Sequence, residues 1–369
     1  MKMVILGAGA SYDSIYEIFD AEKESIWRPP LANELFEPRE NFRKIFEKYE
    51  GLKLLYSSIN AIDDIEEFFQ TSWDFAIDNN ATELLNSLIN VQFALQELMF
   101  NISSNYANVG LSNYDVLINE AYKYSTKTKE DVLFVTFNYD LFMEFSIRKL
   151  YPANFRYLHI SDYIKHPLKL IKLHGSCNWF RKFKEGFPPD INKIPHHNEL
   201  FRSNSTFQQI EDNLDKEIIV AGLPQYPDNN KTVYCFPQLL IPFKSKDSFV
   251  LPSSHREYLE ECISKVNSIL IIGWKGNEEV FLNLLKNNLS NNSLEIESIN
   301  CGNTNIEQHM KQYLPNANFY HFQEGFQISK YNSRSNPYGG NGFYSILDGS
   351  FSAYCLRTTK KMQASFFML

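Results

Sequence analysis

No stretch of this 369-residue chain runs for the roughly 18 uninterrupted apolar residues that a membrane-spanning helix needs. Cysteine is scarce. Cys177, Cys235, Cys262, Cys301 and Cys355 are odd in number and scattered, and none forms a C-x-x-C pair, which speaks against a zinc ribbon and a disulfide framework. Positive charge is also short. The net charge is −8 and the pI near 5.6, whereas dedicated nucleic-acid binders present a basic face. Arg181, Lys182, Lys184 and Lys193 do cluster in sequence; a solvated loop is the plain reading and a local basic groove the alternative. The chain opens directly on Val4-Ile-Leu-Gly, without the build of a cleavable signal. These absences lead to the expectation of a soluble protein in a reducing cytoplasm, with no membrane partner and no direct nucleic-acid binding.

What is present is enough apolar sequence for a real core, 44% against 22% charged residues. Short apolar runs alternate with helical patterns. Met3 to Leu6, Val132 to Val135, Leu168 to Leu173, Ser268 to Ile272, Leu294 to Ile299 and Ala317 to His321 read as strands. Helices are expected after Asp140, from His255 to Val266, from Glu278 to Lys286 and from Ile306 to Tyr313. This alternation predicts an α/β fold with a doubly wound, mostly parallel sheet. Between the first two strands, residues 42–127 carry helical periodicity and almost no strand signal. Ile62, Ile65, Phe68 and Phe69 share one face, and Leu84, Leu88, Leu95, Leu98 and Ile102 continue the i, i+3, i+4 spacing, with Thr82 placed as a helix cap. We read the block as a large helical insertion whose stripe is core. Residues 178–250 look irregular, interrupted by Ile218 to Ala221 and Leu239 to Ile241. The expected division is one domain over 1–325 and a tail of unassigned role over 326–369.

Three strand ends are unusual. Gly7-Ala-Gly-Ala-Ser11 follows the first strand, Thr136-Phe-Asn-Tyr-Asp140 the second, and His174-Gly-Ser176 the third. In open α/β sheets, ligands sit beyond the carboxyl ends of the strands, so polar ends in series point to one pocket. Each has a plainer explanation. Gly7 and Gly9 suit a backbone that approaches a pyrophosphate, or simply a tight strand-to-helix turn; the third glycine of the dinucleotide fingerprint would fall at Tyr12. Asn138 could hold a ribose hydroxyl or a water and Asp140 could orient a neighbour, or the two could start a helix as N-cap and first-turn acid. His174 could be a general base with a pKa near neutrality, or a satisfied core histidine.

The ordered set Gly-Ala-Gly-Ala-Ser, Thr-Phe-Asn-Tyr-Asp, Lys-Leu-His-Gly and Ile-Ile-Gly-Trp resembles the sirtuin-like NAD-binding family, over about 1–36 and 130–322. It looks most similar to that family's bacterial branch in antiphage defence. The resemblance implies a Rossmann-like sheet and NAD as substrate. It implies Gly7, Ala8, Gly9 and Ser11 along the phosphates and adjoining ribose, and Asn138 on the ribose or attacking water. Asp140 would shape the nicotinamide pocket and His174 would be the catalytic base. Gly273 and Trp274 would border the phosphates and adenosine ribose, with Asn300 closing the adenosine side. The family's deacylases carry a four-cysteine zinc module after the histidine. Here 178–250 holds only Cys235, so no metal is expected. The segment that forms the deacylases' nicotinamide lid is missing near Asp13, and the resemblance puts Arg28-Pro-Pro-Leu31 in its place. The implied activity is hydrolysis of NAD to nicotinamide and ADP-ribose by an antiphage effector, silent until triggered and controlled by homo-oligomerisation or a partner such as an ATPase. The alternatives are a non-catalytic NAD or nucleotide sensor, and a deacylase or ADP-ribosyltransferase.

Overall fold

A computed structural model describes residues 1–12, 14, 28–52, 55, 62, 64–108, 112–152, 157–187, 206–228, 231–242, 249–290, 294–300, 305–321 and 365–367. Asp13, Lys193, Cys301 and nearly all of the 326–369 tail lie outside them.

Six short strands form one parallel sheet: β1 (Lys2–Leu6), β2 (Val132–Thr136), β3 (Leu168–Lys172), β8 (Ser268–Ile272), β9 (Glu295–Ile299) and β10 (Asn318–His321). Their order is β10-β9-β8-β1-β2-β3. Counted within this sheet, that is the 3-2-1-4-5-6 arrangement of a Rossmann-like doubly wound fold, with the topological switch between β1 and β8. The runs are continuous rather than alternating because both faces are covered; every residue of β2 and β3 is buried. Alternate residues feed two cores. Val4, Leu6, Phe134, Leu170 and Leu270 face one side. Met3, Ile5, Leu133, Val135, Ile171 and Ile269 face the other.

The second core is closed by α8 (Ser253–Ile263), α9 (Glu279–Asn288) and α10 (Ile306–Met310). The first is closed by the insertion, which comprises α2 (Glu40–Phe46), α3 (Ile65–Asp78), α4 (Thr82–Tyr106) and α5 (Asn113–Thr128). Between β1 and the insertion the chain also forms the five-residue α1 (Ala8–Tyr12), and after β2 comes α6 (Phe142–Leu150). The insertion's stripe is core as expected: Leu88, Leu95, Leu98 and Ile102 are buried and Leu84 partly so. Thr82, however, is the first helical residue and not the cap. Ala81 occupies the cap position, and the Thr82 hydroxyl donates back to the Asn80 carbonyl.

The region read as irregular is largely ordered. Together with α7 (Phe207–Asp212), β4 (Gly175–Phe183), β5 (Leu214–Val220), β6 (Gln225–Asp228) and β7 (Lys231–Leu239) build an antiparallel sheet in the order β5-β4-β7-β6. Its strands are broken by register shifts near Arg181 and between Gly175 and Phe180. Prolines and polar residues at those irregularities hide the two-residue period. Gln92 and Gln96 of α4 hold the sheet from the side, donating to the carbonyls of Pro237 and Leu239 and of Cys177. Among the described residues no helix is long and apolar enough to cross a membrane.

Candidate functional site

The glycine turn after β1 is shaped first by its neighbour across the switch point. Gly7 N–H donates to the Ile272 carbonyl at 2.9 Å and Gly9 N–H to the Gly273 carbonyl at 3.1 Å. A Cβ on Gly7 would lie 2.4 Å from the Gly273 oxygen and 2.6 Å from Trp274 Cα. Gly273 has φ +62°, and a Cβ there would lie 2.3 Å from Ala10 N. These glycines therefore let two strand-end loops lie backbone against backbone. Ala8 is the exposed residue of the turn, while Ser11 is buried behind it. Gly273 N–H in turn reaches the Ile299 carbonyl at 2.9 Å, which brings the end of β9 and Asn300 alongside. Asn300 is half-buried, and its Nδ2 has no hydrogen-bond partner.

Asn138 ties β2 to this turn. Its Nδ2 donates to the Gly7 carbonyl and to Ser11 Oγ, both at 2.9 Å, and its own N–H is held by Thr136 Oγ at 3.1 Å. It does not cap α6, which begins with Leu141 in the cap position. Asp140 does more of what the plainer reading expected, accepting from Phe142 N–H at 3.1 Å. Burial raises the Asp140 pKa, against the opposing pull of Lys172, of a hydrogen bond from Ser11 and of the Phe142 N–H.

His174 lies in the two-residue link where the parallel sheet passes into the antiparallel one. Leu173 N–H bonds Thr136 O, and the carbonyls of Leu173 and His174 accept from Val250 and Leu240, all at 2.9 Å. Gly175 makes the turn possible: its φ is +78°, and a Cβ would sit 2.1 Å from the Gln238 oxygen. The imidazole is 2% exposed. It meets the ring of Phe137 edge-on at 5.0 Å, and Phe137 stacks on Trp274 at 5.2 Å. Trp274 is thus a core side chain, its indole N–H given to Glu278.

The structure therefore gathers Gly7, Ser11, His174 and Trp274 around the dipeptide Phe137-Asn138, with Gly273 packed on Gly7 and Asn300 at the next strand end. Sequence reasoning missed the polar layer beneath. Lys172, 1% exposed, donates to the Asp140 carbonyl and to Glu144 Oε1 at 3.0 Å. Tyr163 OH also donates to Glu144, and Asn178 Nδ2 donates to Tyr163. Tyr114 of α5 meets Ser11 Oγ at 2.8 Å, and Ser103 of α4 accepts from Leu141 N–H at 3.0 Å. The lysine inside the apolar run Leu168-Lys-Leu-Ile-Lys172 was a signal for the first group; nothing marked Tyr114. Among the described residues no three His, Cys, Asp or Glu side chains gather as a metal site would require.

No protein-family model matches the chain, and no curated protein does. Among solved structures, one described as Sir2 with a p53 peptide and NAD+ aligns with 98% of this chain and 93% of its own, at 12% identity and a TM-score of 0.38. Another, Sir2Tm bound to a propionylated peptide, aligns with 87% of this chain and 86% of its own, at 13% identity and a TM-score of 0.35. A third, from a study of sirtuin substrate affinity, has 13% identity, a TM-score of 0.35 and coverage of 92% and 94%. Similarity at this level assigns the chain neither a family nor an activity.

Proposed function

We propose that this chain binds NAD across the carboxyl ends of β1, β2, β3, β8 and β9 and hydrolyses its bond to nicotinamide. The observation that carries the reading is the convergence on Phe137-Asn138. One residue clamps the glycine turn and the other touches both His174 and Trp274. Both hydrogens of the Asn138 amide are donated inward, which leaves its oxygen to accept from a ribose hydroxyl or from the attacking water. The switch-point crevice beside Ala8 is where a doubly wound sheet takes a dinucleotide.

In the reaction, the C1′–N bond breaks with its electron pair leaving on nicotinamide, and C1′ becomes cation-like. Water adds to C1′ to give ADP-ribose and releases one proton. His174 takes that proton directly or through a ribose hydroxyl, a contribution of about 10²- to 10⁴-fold. Fixed dipoles in a water-poor site, the Asn138 oxygen among them, stabilise the cation as it forms. Because His174 is 2% exposed, what covers it must move for the ribose to reach it. The same burial favours a second reading, a nucleotide sensor without turnover. Deacylation or ADP-ribosyl transfer would further need a groove for a peptide. On the motif resemblance, the cellular role is that of an antiphage effector that depletes NAD when triggered, held silent by self-association or by a partner such as an ATPase.

The test is nicotinamide release from NAD by the purified chain, alone and with its genomic neighbour. His174→Ala, the closer-sized His174→Asn, and Asn138→Ala are each expected to abolish release while thermal unfolding stays cooperative. Near-normal turnover in a folded variant would sink the site assignment. NAD recovered intact from its complex would establish the sensor, and release that depends on an acyl-lysine peptide would establish the deacylase.

A further inference from the structure

The helical insertion is sewn to the loop that follows the glycine turn. Asn113 N–H, at the start of α5, donates to the Ser14 carbonyl at 2.8 Å, and Ser14 Oγ donates to the Ser11 carbonyl at 2.8 Å. Ser112 caps α5 in a reciprocal box with Asp115, so this first turn is firmly set. Tyr114, the next residue, is 1% exposed and places its hydroxyl 2.8 Å from Ser11 Oγ.

The hydrogens around Ser11 can be counted. Its hydroxyl has one hydrogen and two lone pairs. An NH₂ group only donates, so Asn138 takes one lone pair. The other partner is Tyr114, whose hydroxyl lies 2.8 Å from Ser11 Oγ; either oxygen can be the donor, and in both directions the contact holds the serine with a lone pair towards the Asn138 NH₂. A flipped amide would set oxygen against a Ser11 lone pair and against the Gly7 carbonyl.

We infer that Tyr114, a residue of the helical insertion, is a positioning residue for this site: through Ser11 it fixes which end of the Asn138 amide faces the strand-end cleft. The orientation itself is a property of the chain; its bearing on NAD cleavage rests on the function proposed above. Without the phenol hydroxyl Ser11 Oγ loses that buried partner, and the serine gains freedom to re-aim. Loss of order at Asn138 should lower turnover about three- to tenfold.

The full chain labelled with ¹⁵N-asparagine gives two readouts, one of them independent of NAD. The Asn138 side-chain NH₂ signal, identified by its loss in Asn138→Ala, is expected to exchange slowly with solvent in the wild type. In Tyr114→Phe it should exchange at least about tenfold faster, with kcat lowered about three- to tenfold and KM within about twofold. Ser11→Ala removes the middle of the relay with a smaller change in volume and should speed exchange likewise. Tyr106→Phe is the control. It deletes a buried phenol bonded to Ser112 and Ser146 and should leave Asn138 exchange and turnover unchanged. The inference fails if Tyr114→Phe and Ser11→Ala leave exchange within about twofold of wild type, or if Tyr106→Phe shifts it equally. Faster exchange in Tyr114→Phe beside a wild type that neither cleaves nor binds NAD would uphold the positioning role and overturn the NAD reading.

Discussion

Replacing Lys172 with methionine should be among the most damaging single changes to this fold, and the structure allows the size to be worked out. The ammonium group bonds Glu144 Oε1 and the Asp140 carbonyl, and it is the cation that opposes burial at both carboxyl groups. Lys172 is 1% exposed, Glu144 4% and Asp140 6%, so water cannot take over when the lysine is gone. Breaking a buried pair from one side costs about 3–5 kcal/mol. With an unfolding entropy of about 2.1 cal/mol/K per residue, a cooperative chain of this length loses roughly 0.8 kcal/mol per degree, so Tm should fall by about 4–6 °C. The pH dependence gives the decisive check. Burial already raises the pKa of Glu144, and removing Lys172 takes away the largest influence that lowers it. Between the unfolded and folded pKa values the folded variant then holds more protons than the unfolded chain. Its stability must fall as pH rises through that window and recover on acidification. Thermal and urea unfolding of wild type and Lys172→Met from about pH 8 to 5.5 should show the gap narrowing towards acid. Adding Glu144→Gln should recover much of the loss, because neutralising both members of a buried pair is often nearly neutral. A gap below about 1 kcal/mol at pH 8, or one that widens towards acid, would refute the electrostatic account.

Gly273→Ala should destabilise the junction of the β1 and β8 loops. The left-handed backbone alone costs a side chain about 1–3 kcal/mol, and the new Cβ would press on Ala10 N and Gly9 C. Urea unfolding that matches wild type would show that those loops do not pack as closely as described. Thiol chemistry should pass over the core: burial pushes the Cys177 thiol far up and that of Cys235 up to about 12. Peptide mapping after treatment of the native chain with an aromatic disulfide at about pH 8 should find both unmodified, and both labelled once urea unfolds it. Prompt native labelling of Cys177 would contradict its burial.

Much of the fold was legible in the sequence because a parallel sheet covered on both faces writes itself as short, continuous apolar runs. The six strands fall where periodicity puts them, to within a residue or two at their ends, and the insertion is helical as expected, although Ile62, read on one helical face with Ile65, Phe68 and Phe69, lies before the start of α3. The antiparallel sheet was not legible. β4 breaks register twice, β7 carries Pro237, and β5 is mostly solvent-facing, so neither alternation nor continuous apolarity survives. The strand-end residues were legible as a group, and the structure does bring most of them together. Among their partners only Lys172 carried a local mark, as a lysine in an apolar run; Tyr114 and Ser103 owe their importance to contacts across more than 30 residues, which no local pattern encodes.

The structure also changes what the glycines mean. Gly7 and Gly9 read as a cradle for phosphate, yet their closest demand comes from Gly273, whose own conformation requires that no Cβ intrude from either side. The two loops are one packed unit, and the only residue of the turn fully turned to solvent is Ala8. A ligand at the switch point would therefore meet a surface already shaped by loop-on-loop contact, with Ala8 exposed on it. That surface is held from behind by Ser11 and Tyr114 and from the side by Phe137. Under the proposed function, dipoles set in advance by this packing would serve a short-lived cation, while the cover over His174 would still have to move for the ribose to enter.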